Sequence, residues 1–282
     1  MGHVSSVPGN TFLRPARRRT LKRAASLRER MRGYEETATL STGHTVSLPL
    51  RCEADVAGAT FTARWERLRS VVPDGLSPVR VAPRSGLVVL AGVRYRSVGG
   101  FDPYEEFAVV VPVVRRTGSR RRATRLGVGA VTEIGGYVHA LPVTTEASKA
   151  LGREVWGYPK TVADISVVDA DGGMRVSVET EGATATTLVV RGGRTVPVPL
   201  DARATSYGVR DGVLSRAPID LLGEGRVGVG GARLEIGDGP LGTTLGGLGV
   251  GRAVARFVAP RLKAHVHAPT PSPERERVAD DA

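Results

Sequence analysis

Short β-branched apolar runs dominate this chain, separated by glycine, proline and acidic clusters. Val46 to Val56, Gly86 to Val98 and Phe107 to Val114 read as strands. Leu126 to Val143 reads as another, broken at Gly135-Gly136. Thr161 to Val168, Met174 to Thr180 and Thr186 to Val190 follow, divided by Asp169-Ala170-Asp171-Gly172-Gly173 and Glu181-Gly182. Arg226 to Ile236 and Val254 to Val266 are the last strand candidates. Helical spacing is rare. Ala63 to Val72 places Trp65, Leu68, Val71 and Val72 on one face, and Pro73 stops it. Thr144 or Thr145 is placed to cap a short helix carrying Ala147, Ala150 and Leu151. Many strands with few, short helices predict an antiparallel sheet curved onto itself. A sandwich and a barrel fit this pattern equally.

Composition narrows the class. The chain has 282 residues, enough to bury a full core. No apolar run reaches the roughly 18 residues needed to span a bilayer, and the start shows no secretory signal pattern. Cys52 stands alone, so an internal disulfide framework is excluded and a reducing, cytoplasmic setting is expected. The net charge of +12 is concentrated. Residues 14 to 32 carry +8 and residues 115 to 125 carry +6, which leaves the remainder at −2. Segment 14 to 32 has no Phe, Tyr or Trp on which bases could stack, so it reads as a solvated or partner-docking arm and nucleic acid is not expected. The expected organisation is a basic arm over 1–40, one domain over 41–268 and a disordered tail over 269–282.

One stretch carries chemistry. Only four of the 40 basic residues are lysines: Lys22, Lys149, Lys160 and Lys263. Lys160 follows Pro159 at the end of an apolar, aromatic run, Gly152-Arg153-Glu154-Val155-Trp156-Gly157-Tyr158-Pro159-Lys160. Apolar surroundings disfavour an ammonium, so desolvation is expected to lower the pKa of this amine. A neutral amine attacks ketones to form a Schiff base, which a guanidinium does not. The plainer alternative is a lysine reaching out from a strand start, with Trp156 in the core.

This stretch resembles the signature of the acetoacetate decarboxylase family, in which the lysine after Tyr-Pro or Phe-Pro forms the Schiff base. Gly136-Tyr137-Val138-His139 and Ala150 fall at the family's spacing upstream. Tyr104-Glu105-Glu106 followed by Pro112 resembles its Tyr-x-Glu segment. Leu68 to Pro73 resembles its short helix ending in Val-Pro, and Gly231 to Leu248 its closing segment. The resemblance covers roughly residues 45 to 266. It implies an α+β domain whose mainly antiparallel strands form a cone or closed barrel around an apolar pocket, with short helices at its ends. It implies a homo-oligomer acting on a small keto acid, without metal or organic cofactor.

The implied reaction is decarboxylation of a β-keto acid through a lysine imine and enamine. The alternatives are an aldolase or dehydratase acting on a larger keto acid, and a non-catalytic ligand-binding member. Lys160 is the expected nucleophile and Glu106 the expected carboxylate. Tyr158, Trp156 and Tyr104 are expected to shape the pocket. Arg153 either pairs with Glu154 or grips a substrate carboxylate, and His139 is a core histidine or an acid. The chain also departs from the family. Thr161 stands where well-known members carry a second lysine, whose charge lowers the nucleophile's pKa. An acid and an arginine of the family's early strands fall near Ala91 and Ala54. These departures bear on which keto acid is used.

Other chemistries lack their signatures. Gly246-Gly247-Leu248-Gly249-Val250-Gly251 lacks dinucleotide-loop spacing. His265-x-His267 alone does not make a metal site, and no nucleophile elbow is present.

Overall fold

The computed structural model describes residues 36–115, 134–180 and 182–272. The arginine segments, apart from Arg115, and residues 273–282 of the expected tail lie outside these ranges. The chain opens with β1 (Glu36–Thr39), β2 (Thr45–Leu48) and the long β3 (Leu50–Arg64). Helix α1 (Trp65–Val71) follows, then β4 (Leu76–Pro78), β5 (Arg80–Ala82), β6 (Ser85–Val98), β7 (Glu105–Arg115) and β8 (Ile134–Val143). Helix α2 (Glu146–Leu151) runs into a π-helical turn (Gly152–Trp156). Next come β9 (Lys160–Val162), β10 (Asp164–Ala170), β11 (Gly173–Thr180) and β12 (Ala183–Val190). The hairpin β13 (Val196–Arg210) and β14 (Val213–Val229) leads to β15 (Ala232–Ile236), α3 (Gly239–Leu248), β16 (Ala253–Val266) and β17 (Thr270–Pro271).

Seven strands close a ring in the order β7-β6-β3-β16-β14-β13-β8, with β8 returning to β7. The pairings are antiparallel except at one seam. There β13 meets β8 in parallel through Ser206 opposite Gly136 and Tyr207 opposite Tyr137. Closure removes the sheet edges that an open sheet would expose. A second sheet, β10-β11-β12-β15, packs with α3 against one side of the ring. The sequence pattern left sandwich and barrel open; the return of β8 to β7 makes it a closed barrel.

Alternation along β7 separates two cores. Phe107, Val109, Val111 and Val113 are fully buried in a cluster shared with the second sheet and α3. Glu106 points to the opposite face, where Tyr104, Leu141, Trp156, Tyr158 and Cys52 form the second cluster.

Several elements escape the sequence reading for physical reasons. Strand β13 and most of β14 carry Pro197, Pro199, Pro218 and a largely exposed face, so their apolar pattern is faint. Helix α3 contains four glycines and scores as a poor helix former. It forms because Leu241, Leu245 and Leu248 bury along one stripe, and because Gly242 lets it approach the chain. A Cβ at 242 would stand 2.0 Å from the Gly237 carbonyl oxygen. Gly135 and Gly136 do not break β8: a Cβ on Gly135 would strike the Tyr207 ring, so glycine there permits the seam. Strand β1 begins inside the stretch read as an arm. Thr270–Pro271, read as tail, pair with Ser215 and Arg216 of β14. Among the described residues no helix is long and apolar enough to cross a membrane.

Candidate active site

The lysine is delivered by a fixed turn. Thr145 caps α2 by accepting a hydrogen bond from the Ser148 backbone N–H at 3.1 Å. The π turn that follows ends at Gly157, whose φ of 68° is left-handed. A Cβ at 157 would lie 2.5 Å from the Val209 carbonyl oxygen, so only glycine fits. Pro159 then stiffens the step into β9, where Lys160 pairs in parallel with Leu141 of β8.

Side chains anchor this turn from several directions. Trp156 Nε1 donates to the His267 carbonyl at 2.9 Å. Its ring stacks on Tyr158 at 5.8 Å between centroids, and the Tyr158 hydroxyl bonds that of Ser206. Arg153 Nε donates to the Lys160 carbonyl at 2.7 Å. Glu154 accepts from the Ser41 backbone N–H at 2.9 Å and from the Ser41 hydroxyl. The expected Arg153–Glu154 pair is therefore replaced by two separate contacts, and Arg153 acts on the backbone of Lys160.

At the centre, Lys160 is 4% exposed and Glu106 6%. Lys160 Nζ lies 2.8 Å from Glu106 Oε2. The Tyr104 hydroxyl accepts from Nζ at 3.4 Å, and Nζ also sits 5.2 Å from the Tyr104 ring centroid. Burial pushes the lysine pKa down, but the charge of Glu106, then Tyr104, outweighs burial and raises it. Desolvation is therefore not the only influence on this amine: the facing carboxylate opposes it and favours the ammonium. Thr161, next along β9, is exposed, as alternation on a strand requires.

The structure thus brings together Lys160, Glu106 and Tyr104, with Trp156, Tyr158 and Arg153 securing the turn. His139 stands apart. It is the unpaired residue of a bulge, since Ala140 pairs with Val109 and Val138 with Val110. Its ring packs on Tyr137 at 6.2 Å and burial lowers its pKa. Among the described residues no hydrogen bond or ion pair joins it to Lys160 or Glu106.

Three neighbours were not legible in the sequence. Tyr95, opposite Ala54 across β3 and β6, donates its hydroxyl to Glu106 Oε1 at 3.5 Å. Its ring lies 4.5 Å from that of Tyr104. The buried Cys52 thiol is pushed up to about 12, first by burial and then by the charge of Glu106. Gly152 lies against the aliphatic stem of Lys160. Only strand register and turn geometry reveal these contacts. Ala54 and Ala91, near which the family's early arginine and acid are expected to fall, are both buried.

The arrangement is a buried amine with its own acid–base partner in apolar surroundings, the equipment for imine chemistry. The family model described as acetoacetate decarboxylase matches residues 37–210. Acetoacetate decarboxylase 1 of Bradyrhizobium diazoefficiens is 36% identical over 104 residues, 37% of this chain and 34% of that protein. Acetoacetate decarboxylase 3 of Mesorhizobium japonicum is 30% identical over 109 residues, 39% of this chain and 35% of that protein. These matches span about a third of the length of each curated relative. The acetoacetate decarboxylase of Legionella pneumophila superposes with a TM-score of 0.61 at 17% identity, covering 80% of this chain and 87% of that one. The enduracididine biosynthesis enzyme MppR, complexed with pyruvate, superposes at 0.61 and 16% identity, covering 85% and 98%. With its family model spanning more than half of the chain, from β1 through β13, and its barrel shared with these structures, the protein belongs to the acetoacetate decarboxylase family.

Proposed function

We propose that this protein is a carboxy-lyase that condenses Lys160 with a β-keto acid and releases CO2 and a ketone. The observation that carries this reading is the 2.8 Å pair of Lys160 and Glu106, both buried in the apolar second cluster. At rest the pair holds one proton, on nitrogen. As the substrate carbonyl meets Nζ, Glu106 takes that proton, the freed amine adds to carbon, and a second proton passes from nitrogen to the new alkoxide to make a hydroxyl. Glu106 returns the proton to the departing hydroxyl, which leaves as water. The iminium then stands beside a carboxylate that already favours positive charge on this nitrogen. The C–C bond to the carboxylate breaks, its electrons pass into the iminium, and a neutral enamine remains. Protonation at carbon and hydrolysis free the ketone and Lys160.

One observation favours a second reading, an aldolase or dehydratase using the same imine on a larger keto acid. Ala54 and Ala91 remove charged groups expected near the substrate, so a substrate recognised by charge at those positions is not the one served. MppR, a structural neighbour, has been seen complexed with pyruvate and with the condensation product of pyruvate and imidazole 4-carboxaldehyde. Borohydride trapping over a panel of keto acids, with peptide mapping and CO2 detection, separates the readings. Trapping at Lys160 with CO2 release supports decarboxylation, and trapping without it supports the second reading. Trapping undiminished in Lys160→Arg ends both, because guanidinium stays charged.

A further inference from the structure

Glu106 is held at both of its carboxylate oxygens. Its Oε2 meets the Lys160 ammonium at 2.8 Å. Its other oxygen, Oε1, accepts a longer hydrogen bond from the Tyr95 hydroxyl, at 3.5 Å. Tyr95 is well placed for this. It lies on β6 directly opposite Ala54, and its backbone N–H donates to the Tyr104 carbonyl at 3.0 Å. Its ring packs on Tyr104, so the two hydroxyls approach the ion pair from β6 and from the residue just before β7.

We infer that Tyr95 is a positioning residue: its hydroxyl holds Oε1 of Glu106 so that Oε2 is turned to the reacting amine. This rests on the reading of Lys160 and Glu106 as the working pair. The titratable groups facing the carboxylate are Lys160 from β9, Tyr104 before β7, Tyr95 from β6, Cys52 from β3 and Tyr158 from the lysine turn. Burial and the Glu106 charge hold the Tyr95 phenol well above its ordinary range, so it keeps its proton and donates. Cys52 and Tyr158 likewise stay neutral near neutral pH. Lys160 is thus the sole cation in this set.

Two measurements on Tyr95→Phe test the inference. The first is an infrared acid titration of the protonated carboxyl band, assigned by its loss in Glu106→Gln. A donor to the carboxylate favours its charged form, so the band midpoint should move up without the hydroxyl. The second is turnover of whichever keto acid the wild type traps. We expect kcat to fall about ten-fold with KM nearly unchanged, and the acidic limb of the profile to move up with the band. A reduced kcat with an unmoved midpoint would assign Tyr95 to packing alone, and two unchanged readings would remove it from the site. If the phenylalanine variant does not fold, the titration is run on Tyr95→Gln, which keeps a donor. There a wild-type midpoint supports the hydrogen bond, and a raised one overturns it. The infrared titration needs no turnover, so the Schiff-base reading can fail while the role of Tyr95 is still decided.

Discussion

Gly152 lies against the aliphatic stem of Lys160, eight residues further along the chain. A Cβ at 152 would stand 2.4 Å from Lys160 Cδ and 2.6 Å from Cε. The glycine has an ordinary helical backbone, so space rather than conformation requires it. Gly152→Ala should therefore push the stem sideways and draw Nζ away from Glu106. Overpacking of this kind costs about 1–3 kcal/mol, partly offset by alanine's better helix propensity. We expect kcat/KM to fall at least ten-fold while cooperative unfolding persists. Unchanged kinetics would show that the lysine stem yields without cost.

Glu106→Gln separates burial from charge. Without the carboxylate, the largest influence raising the Lys160 pKa is gone and burial prevails. Competitive acetylation followed by mass mapping should label Lys160 at lower pH than in the wild type, while turnover falls. Stability should respond in opposite senses. The raised wild-type pKa contributes stability fully present below the ordinary lysine value of 10.5, and lost as pH rises toward the higher folded value. The variant buries an uncompensated cation, costing about 3–5 kcal/mol while that cation keeps its proton, and relaxes once the proton is lost. Urea unfolding at pH 7 and in strong alkali should show the gap between the two proteins narrowing.

Thr161→Lys tests the absent second lysine. Position 161 faces solvent while Lys160 faces the core. A cation placed there is screened by water, so the acidic limb of kcat/KM should stay within a few tenths of a pH unit. A limb displaced by a full unit would mean that the two side chains share surroundings.

Asp220 provides an acid-side test away from the amine. Arg203 binds it through Nε at 2.6 Å and a second nitrogen at 2.8 Å, and His267 Nε2 lies 2.8 Å from the same carboxylate. The Arg203 hydrogen bond leads in holding this carboxyl down at about 2. A depressed carboxylate contributes stability above its ordinary value of 3.8, lost as pH falls from there toward about 2. Asp220→Asn should flatten the acid loss of stability over that interval. Trp156 bonds the His267 carbonyl, so tryptophan fluorescence can follow the transition.

How much of this was legible depended on whether a signal was local. The α1 stripe of Trp65 and Leu68, the Thr145 cap and the β7 alternation that buries Glu106 all lie within a few residues of their partners. Lys160 was conspicuous because arginine serves nearly every other basic position. Its protonation state was not legible, because desolvation reads from neighbours in sequence whereas the opposing carboxylate arrives from β7. Tyr95 shows no pattern of its own; its importance lies in facing Ala54, a matter of register. The β13–β14 hairpin hid behind prolines and exposed positions, and α3 behind its glycines.

Ring closure sets an order of events during synthesis. The chemical groups, from Cys52 to Lys160, have all left the ribosome while β14 and β16 are still unmade. Yet β3 depends on β16 for one edge, and β13 on β14. A nascent chain ending near Arg210 would carry every reactive side chain and two unpaired strand edges. The ring around the lysine and its carboxylate is complete only with Ala253–Val266, the strand that joins β3 to β14.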